Sequence, residues 1–98
     1  MVLAAFSITP LGGSDSVGAA VASAVGLVRA SGLPNETNAM FTNVEGEWDE
    51  VMDLIKSCID RVAQDAPRVS VVIKVDVRPG HEGAIVEKVA SVERHLQP

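Results

Sequence analysis

The segment RVSVVIKVDVR, residues 68–78, constrains the fold more than any other part of the chain. Every second residue from Val69 to Val77 is Val or Ile, whereas the residues between them are mostly polar or charged. Alternation with a period of two over eleven residues predicts a long β-strand with one buried face and one mostly polar face. The sheet that contains this strand therefore has two unlike faces.

The remaining elements follow from turn signals and from apolar periodicity. They are an extended segment over 2–9 that Pro10, Gly12 and Gly13 end, a helix over 16–31, a hairpin over 36–45 that turns near Met40, a helix over 47–65, and a last helix with the stripe Ile85, Val89, Val92 and Leu96. The order β-α-β-β-α-β-α predicts an α+β ferredoxin-like plait with an extra C-terminal helix. We expect an antiparallel four-stranded sheet in a single domain over residues 1–98. One sheet face stays open unless a second chain covers it.

The first predicted helix is rich in small residues. Its apolar stripe consists of Val17, Val21, Val25 and Val28, widened by Ala20, Ala24 and Leu27. Gly18, Ala22 and Gly26 recur every four residues, although glycine lowers helix propensity. This recurrence predicts close packing of that side against the sheet or against another chain. In the second helix, Cys58 falls on the apolar stripe and is interpreted as a buried structural residue.

The charge and the cysteine content argue against several functional classes. The net charge is −5 and the eight Lys and Arg residues form no basic run, which disfavours a nucleic-acid partner. The single Cys58 excludes an internal disulfide and a cysteine-based metal site, and His81 and His95 lie in separate surroundings. No set of nucleophile, base and orienting group can be assembled. We therefore expect no catalytic residues, no metal and no cofactor.

The N-terminal sequence MVLAAFSITPLGG lacks the pattern of a secretion signal. No Lys or Arg precedes the apolar run, and Ser7, Thr9 and Pro10 interrupt it early. No apolar run in the chain reaches the length of a transmembrane helix. We expect a cytoplasmic protein with no membrane partner.

Polar residues occupy hairpin positions where a buried strand would carry Val or Ile. Uninterrupted alternation places Thr37, Asn43 and Glu45 on one face and Asn38 and Thr42 on the other, so both faces carry polar groups. A solvated sheet edge explains this pattern, and so does a pocket in which a few polar groups converge beside an apolar platform. Asn and Thr side chains suit the donor and acceptor edge of a heterocycle, and a carboxylate suits a cationic or amino-bearing ring.

The sequence resembles the thiamine-binding, YkoF-like family of small ferredoxin-like proteins. The similarity lies in ITPLG (residues 8–12), Ser16, SGLPNETNAMFT (31–42), VEGEWDEVM (44–52), IKVDVR (73–78) and EKVASVE (87–93). It covers essentially the whole chain. Its most specific part is the string Met40, Thr42, Glu45 and Gly46, which runs into an acidic helix start.

The resemblance implies a bound thiamine, or its hydroxymethylpyrimidine half, in a pocket near the hairpin. It also implies a homo-oligomer, a tetramer built as a dimer of dimers on extended sheets. The ligand-binding residues carried over by position are Ser16, Thr37, Asn38, Met40, Thr42 and Glu45. Phe41 departs from the family pattern, in which a small residue, commonly Gly, stands at that place. Phe41 either stacks on the pyrimidine ring or fills the space that the ring needs.

These observations lead to two main hypotheses, beside a third, enzymatic one in which Glu45 or Asp76 is the base in hydrolysis of a thiamine derivative, although a carboxylate alone is a weak catalytic signal. In the first, the protein binds thiamine or its hydroxymethylpyrimidine moiety without catalysis, for storage, transport or sensing. Asn and Thr groups would read the aminopyrimidine edge, Glu45 would neutralise positive charge, and Met40 or Phe41 would pack on the ring. In the second, the domain is a structural or regulatory oligomerisation module without a small-molecule ligand, and the polar hairpin contacts another subunit.

Overall fold

The computed structural model of the chain describes residues 1–13 and 17–98, with Val17 described by its backbone alone. Its elements are β1 (Val2–Leu11), α1 (Val17–Ala30), β2 (Asn35–Thr37), β3 (Thr42–Gly46), α2 (Trp48–Ala63), β4 (Arg68–Val77) and α3 (Ala84–Leu96). The strands form one antiparallel sheet in the order β2-β3-β1-β4. The predicted α+β plait with an additional C-terminal helix is confirmed.

Strand β1 lies in the centre of the sheet and is longer than predicted. It pairs with β4 from Val2 to Leu11, but its pairing with β3 stops at Phe6. The sequence predicts that Pro10, Gly12 and Gly13 together end the strand; it continues through Pro10 and ends at Leu11, directly before Gly12. Within the described residues this part of β1 has a strand partner on one side only, and proline is tolerated at such edge positions.

Helices α1 and α2 cover one face of the sheet and form the core with it. Helix α2 buries Val51, Ile55, Cys58 and Val62, the stripe that the sequence predicts. The Cys58 thiol contacts the carbonyl oxygen of Ala24 at 3.4 Å, and burial raises the pKa of this thiol to about 11. The interpretation of Cys58 as a buried structural residue is confirmed.

Helix α1 faces the core with smaller residues than predicted. Ala20, Ala24 and Val28 are buried, whereas Val21 and Leu27 are 37% and 38% exposed. The inward face is therefore rotated away from the predicted valine stripe, because the two alanines allow α1 to approach α2 closely. Gly18, Ala22 and Gly26 lie on the outer side of the helix. Their predicted packing against the sheet is wrong, and their contact with another chain stays a prediction.

Helix α3 lies on the opposite face of the sheet. Leu3, Glu45 and Asp76 are neighbours in register on that face, and Lys88 of α3 forms an ion pair of 2.7 Å with Asp76. α3 has the predicted apolar stripe, but none of its residues is buried. The sheet face beside it is open and contains a cleft of about 440 Å³. The two sheet faces thus differ, but the prediction that one face of the strand 68–78 is buried is wrong. Val69, Val71 and Val75 are half-buried and Ile73 and Val77 are exposed, because β4 lies at the edge of the sheet.

Candidate functional site

A cavity of about 260 Å³ lies where the β2–β3 hairpin meets α1 and the second half of β1. Its lining residues are all uncharged among those that the structure describes: Phe6, Ser7, Ile8, Thr9, Val21, Ala24, Val25, Thr37, Asn38, Ala39, Met40, Phe41 and Thr42. Four of the six residues predicted to bind a ligand, Thr37, Asn38, Met40 and Thr42, are thus brought together. An apolar wall with a few polar groups is typical of a small-molecule site.

The paired hydroxyl groups of Thr37 and Thr42 lie in this cavity. The two residues are cross-strand partners, and their Oγ1 atoms are 3.3 Å apart. Thr42 is 7% exposed. Each hydroxyl has one O–H and two lone pairs, so a pair that shares one hydrogen bond keeps one donor and further acceptor positions. The pair therefore suits a ligand edge that carries both a donor and an acceptor.

Asn38 builds the turn that joins the two strands. The side-chain Oδ1 of Asn38 accepts hydrogen bonds from the backbone N–H groups of Met40 (3.0 Å) and Phe41 (2.9 Å). The backbone N–H of Asn38 donates to the Phe41 carbonyl oxygen at 2.9 Å. Asparagine is favoured in turns because its side chain can replace a backbone acceptor in this way. The amide oxygen is committed to the turn, so Asn38 has only its NH₂ group to offer a ligand.

The turn also changes which residues share a face. The irregular residues 38–41 interrupt the alternation, so Thr37 and Thr42 lie on the same side of the hairpin as register partners. The prediction that they lie on opposite faces is wrong. The turn presents Met40, which is 74% exposed, and the half-buried Phe41 at the cavity. Phe41 forms part of the cavity wall and does not fill the cavity.

Glu45 lies on the other face of the sheet and does not line this cavity. It is only 2% exposed, and its carboxylate accepts hydrogen bonds from the first two backbone N–H groups of α3. Oε2 is 2.9 Å from the Ala84 nitrogen and Oε1 is 3.3 Å from the Ile85 nitrogen. A negative charge at a helix N-terminus satisfies unpaired donors and interacts favourably with the helix dipole. Glu45 therefore has a structural partner that explains its burial.

A second, much smaller cavity lies beside Glu45. Its volume is about 60 Å³, enough for one or two water molecules, and Arg78, His81 and Glu82 contribute to its lining. The neighbouring Lys88 ammonium lowers the pKa of Asp76 below its ordinary value. Among residues 1–13 and 17–98, no group of three or more potential ligands could hold a metal ion.

The sequence profile of the family described as thiamine-binding protein matches residues 4–93, nearly the whole chain. The chain belongs to the thiamine-binding protein family. The resemblance on which the sequence prediction rests is thereby confirmed. The hairpin cavity contains Met40 and Thr42, two residues of the string on which the predicted resemblance rests.

Relatives match this chain over nearly its whole length, one in sequence and two in solved structures. A UPF0045 protein of Mycobacterium bovis is 56% identical over 96 residues, which cover 97% of this chain and 94% of the relative. A hypothetical protein of Methanocaldococcus jannaschii has a crystal structure that superposes with a TM-score of 0.84 at 36% identity, over 94% of this chain and 95% of that one. A proposed thiamine biosynthesis or salvage protein of Thermotoga maritima superposes with a TM-score of 0.81 at 25% identity, over 93% and 97%.

Two further predictions concern Ser16 and the absence of a membrane-spanning helix. Ser16 lies outside the described residues, so its predicted role in ligand binding stays a prediction. Within the described ranges, no helix is long and apolar enough to cross a membrane.

Part of the cavity was not predicted from the sequence. Beyond Phe6, the edge of β1 that faces the hairpin has no strand partner among the described residues, so the backbone of residues 7–9 adjoins the cavity. Val21 and Val25 of α1 form the apolar wall opposite. The mismatch between the long β1 and the short β3 creates this open edge, and lengths of paired strands are not readable from either segment alone.

Proposed function

We propose that the chain binds thiamine or its hydroxymethylpyrimidine half in the hairpin cavity, in the cytoplasm and without catalysing a reaction. The observation that carries this proposal is the uncharged cavity with its paired Thr37 and Thr42 hydroxyls. Family membership and the name of the Thermotoga maritima relative support the choice of vitamin. Storage, transport and sensing are all compatible with such a binder.

The pyrimidine half fits the cavity better than the rest of the vitamin does. Thiamine joins a neutral aminopyrimidine to a cationic thiazolium, and its phosphates add negative charge. No charged side chain lines the described part of the cavity, so a charged group there would lose hydration without gaining a partner. The volume of about 260 Å³ is also small beside the roughly 300–1,000 Å³ of pockets that hold drug-sized ligands.

Recognition would combine hydrogen bonds with ring packing. The Thr37 and Thr42 hydroxyls would bind the donor and acceptor edge of the aminopyrimidine, and the free backbone edge of β1 offers further donors and acceptors. Phe41 and Met40 would pack on the ring face. Glu45 takes no part in this scheme, because it lies on the other sheet face and binds α3.

The test is isothermal titration of the purified chain with thiamine, hydroxymethylpyrimidine and the thiamine phosphates. We expect saturable heat with hydroxymethylpyrimidine, and a loss of affinity of about tenfold or more in Thr42→Val, which removes one hydroxyl at nearly constant shape. Ser70→Ala is the matched control, because it removes an exposed hydroxyl of β4 that does not line the cavity. Recovery of unaltered ligand by mass spectrometry would agree with a non-catalytic role.

The second candidate function, an oligomerisation module without a ligand, is favoured by the exposed apolar side chains of α3. Flat titrations with every compound, together with self-association of the chain, would support this alternative. Saturable binding that Thr42→Val weakens would contradict it.

A further inference from the structure

The cleft of about 440 Å³ on the open face of the sheet has a different chemistry from the hairpin cavity. It shares no residue with that cavity, and its lining includes charged side chains. The lining residues are Leu3, Ala5, Asn43, Lys74, Val75, Asp76 and Lys88. Its volume is within the range of about 300–1,000 Å³ that is typical of small-molecule sites.

The floor of the cleft is a row of three residues across the sheet. Ala5 of β1 pairs with Asn43 of β3 on one side and with Lys74 of β4 on the other. Neighbouring strands are about 4.8 Å apart, so the amide and the ammonium group rise from backbone positions about 10 Å apart. Only the methyl group of Ala5 stands between them. The small central residue therefore leaves a gap between two hydrogen-bond donors.

Helix α3 closes one side of this gap. The next row of the sheet is Glu45, Leu3 and Asp76. Glu45 binds the first N–H groups of α3, and Asp76 pairs with Lys88 at 2.7 Å. These contacts hold Lys88 at the border of the cleft, so that the cleft has an ammonium group on α3 and another, that of Lys74, on β4.

Positive charge exceeds negative charge around the cleft. The hydrogen bond and charge of Lys88 lower the pKa of Asp76, and the charges of Arg78 and Lys74 lower it further. Among the described residues, neither Arg78 nor Lys74 forms an ion pair. Three cations and one carboxylate leave a surplus of two positive charges in a chain whose net charge is −5. Glu45 does not line the cleft, because its carboxylate binds the N-terminus of α3.

Asn43 adds a polar group that the described part of the chain does not use. Its side chain lines the cleft and forms no hydrogen bond with the described residues. No buried side-chain nitrogen or oxygen there lacks a partner, so the unpaired amide is open to the cleft. An asparagine NH₂ group donates up to two hydrogen bonds, which suits an anion with several oxygens.

We propose that this cleft binds a phosphate monoester that carries an apolar group. The phosphate accepts hydrogen bonds from the ammonium groups of Lys74 and Lys88 and from the amide of Asn43. Its charge of about −1.5 to −2 at pH 7 matches the surplus of positive charge, which a carboxylate would balance only in part. Lysine binds phosphate as a point charge, and its three donors let Lys88 keep its bond to Asp76. The apolar group of the ligand lies on Leu3.

The cleft and the hairpin cavity lie back to back on the sheet. Phe6 and Thr42 line the cavity, and their chain neighbours Ala5 and Asn43 line the cleft. Successive side chains of a strand point to opposite faces, so a ligand in one site does not contact the other. The inference therefore stands without the proposed vitamin.

The test is calorimetric titration of the full chain at low ionic strength, where screening of the ammonium groups is weak. The probes are phenyl phosphate, inorganic phosphate and benzoate. We expect saturable binding of phenyl phosphate, and binding of the other two that is weaker by about tenfold or more. Absence of phenyl phosphate binding, or equal affinity for benzoate, would overturn the assignment of a phosphate ester. Equal affinity for inorganic phosphate would overturn the apolar part of the ligand.

Lys74→Met tests the site without risk to the core, because Lys74 is exposed. The variant removes the charge and should bind phenyl phosphate about tenfold or more weakly. Lys56→Met is the matched control, since it removes the same charge from an exposed position on α2 and should bind like the wild type. An equal loss in the two variants would show a general attraction of anions and would overturn the site.

Ala5→Val narrows the gap in the floor and should weaken phenyl phosphate binding while hydroxymethylpyrimidine binds as before. Chemical shifts of the wild type cover the case in which this variant does not fold. Phenyl phosphate should shift the amide resonances of Asn43, Lys74 and Lys88. Shifts confined to the hairpin, residues 37–42, would overturn the proposal. A lack of hydroxymethylpyrimidine binding with these shifts intact would count against the proposed function alone.

Discussion

Thr37 and Thr42 share a hydrogen bond across β2 and β3, but only Thr42 is buried. This asymmetry predicts unequal effects on stability. Thr37→Val leaves the buried Thr42 hydroxyl with only the cavity to supply a partner and should lower the free energy of unfolding by about 0.5–1.5 kcal/mol. Thr42→Val leaves an exposed hydroxyl that water can bind, so its effect should be smaller. Denaturant unfolding of the two single variants and of the double variant measures these free energies. An equal loss in the two single variants would contradict the predicted asymmetry.

Gly26 and Gly46 should respond in opposite ways to alanine. A Cβ atom at Gly26 would meet nothing within 4 Å, whereas at Gly46 it would lie 3.3 Å from both Leu33 Cδ2 and Val51 Cγ2. Gly26→Ala should stabilise the chain by up to about 1 kcal/mol, because alanine is the better helix former. Gly46→Ala should destabilise it by about 1–3 kcal/mol through overpacking.

Thermal unfolding of the two glycine variants at low protein concentration checks this contrast. The midpoint of Gly26→Ala should rise by about 4–8 °C per kcal/mol in a domain of this size. A lower midpoint in Gly26→Ala would contradict the prediction, because it would mean that a side chain at this position disturbs packing within the chain. A lower midpoint only at high protein concentration would instead indicate that the outer face of α1 contacts another chain.

Cys58 should be unreactive in the folded protein. Burial raises the pKa of its thiol to about 11, so only a small fraction is thiolate at about pH 8, and solvent does not reach it. A thiol reagent should react completely in denaturant and more than about a hundredfold more slowly with the native chain. Fast native labelling would contradict this assignment. Cys58→Ala is the blank, because Cys58 is the only cysteine in the sequence.

The Asp76–Lys88 ion pair should make the stability of α3 depend on pH. Lys88 lowers the pKa of Asp76 in the folded state below its ordinary value of 3.8, so the pair stabilises the fold above that pH and the contribution is lost as the pH falls through the lower folded-state pKa. Both side chains are well exposed, so the effect is small. Asp76→Asn should be less stable than the wild type at about pH 7 and equally stable at about pH 2.

Asp60→Asn is the control for this prediction, because it breaks an exposed pair with Lys56 that has no contact with α3. Hydrogen exchange at neutral pH should accelerate in residues 84–96 of Asp76→Asn and not in those of Asp60→Asn. Equal exchange of α3 in the two variants would mean that the pair does not help to hold the helix.

Sequence periodicity was sufficient to predict the order of the elements and the composition of α2. Val51, Ile55, Cys58 and Val62 are spaced for one helix face, and a buried helix face is a local property of the sequence. Helix α1 was harder to orient, because nearly all of its residues are small and apolar and the pattern has no polar side to define the outer face.

The hairpin shows why the site was only partly predictable. Thr37, Asn38 and Thr42 stand out in the sequence by their polarity, but the turn at 38–41 shifts the alternation, so the pairing of Thr37 with Thr42 could not be predicted from spacing. The partner of Glu45 lies 39 residues away in sequence, at the start of α3. A buried carboxylate looks the same in the sequence whether a ligand or a helix N-terminus binds it.

Substitutions of Asn38 can distinguish a residue that shapes the cavity from one that contacts the ligand directly. Its Oδ1 atom holds the turn through two backbone N–H groups, and Asn38→Asp keeps such an oxygen while removing the NH₂ group. We expect Asn38→Asp to retain wild-type stability and to bind neutral hydroxymethylpyrimidine with nearly wild-type affinity. Asn38→Ala should lose about 0.5–2 kcal/mol of stability and should bind more weakly, because the turn that presents Met40 and Phe41 is no longer held.

Titration calorimetry and denaturant unfolding of the two Asn38 variants distinguish the roles. If both variants lose affinity equally while Asn38→Asp keeps its stability, the NH₂ group itself binds the ligand, and the role assigned to the turn is wrong. If only Asn38→Ala loses affinity, Asn38 acts through the backbone of residues 40 and 41. The Thr37 and Thr42 hydroxyls are then the side-chain groups on the hairpin that remain to bind the ligand edge.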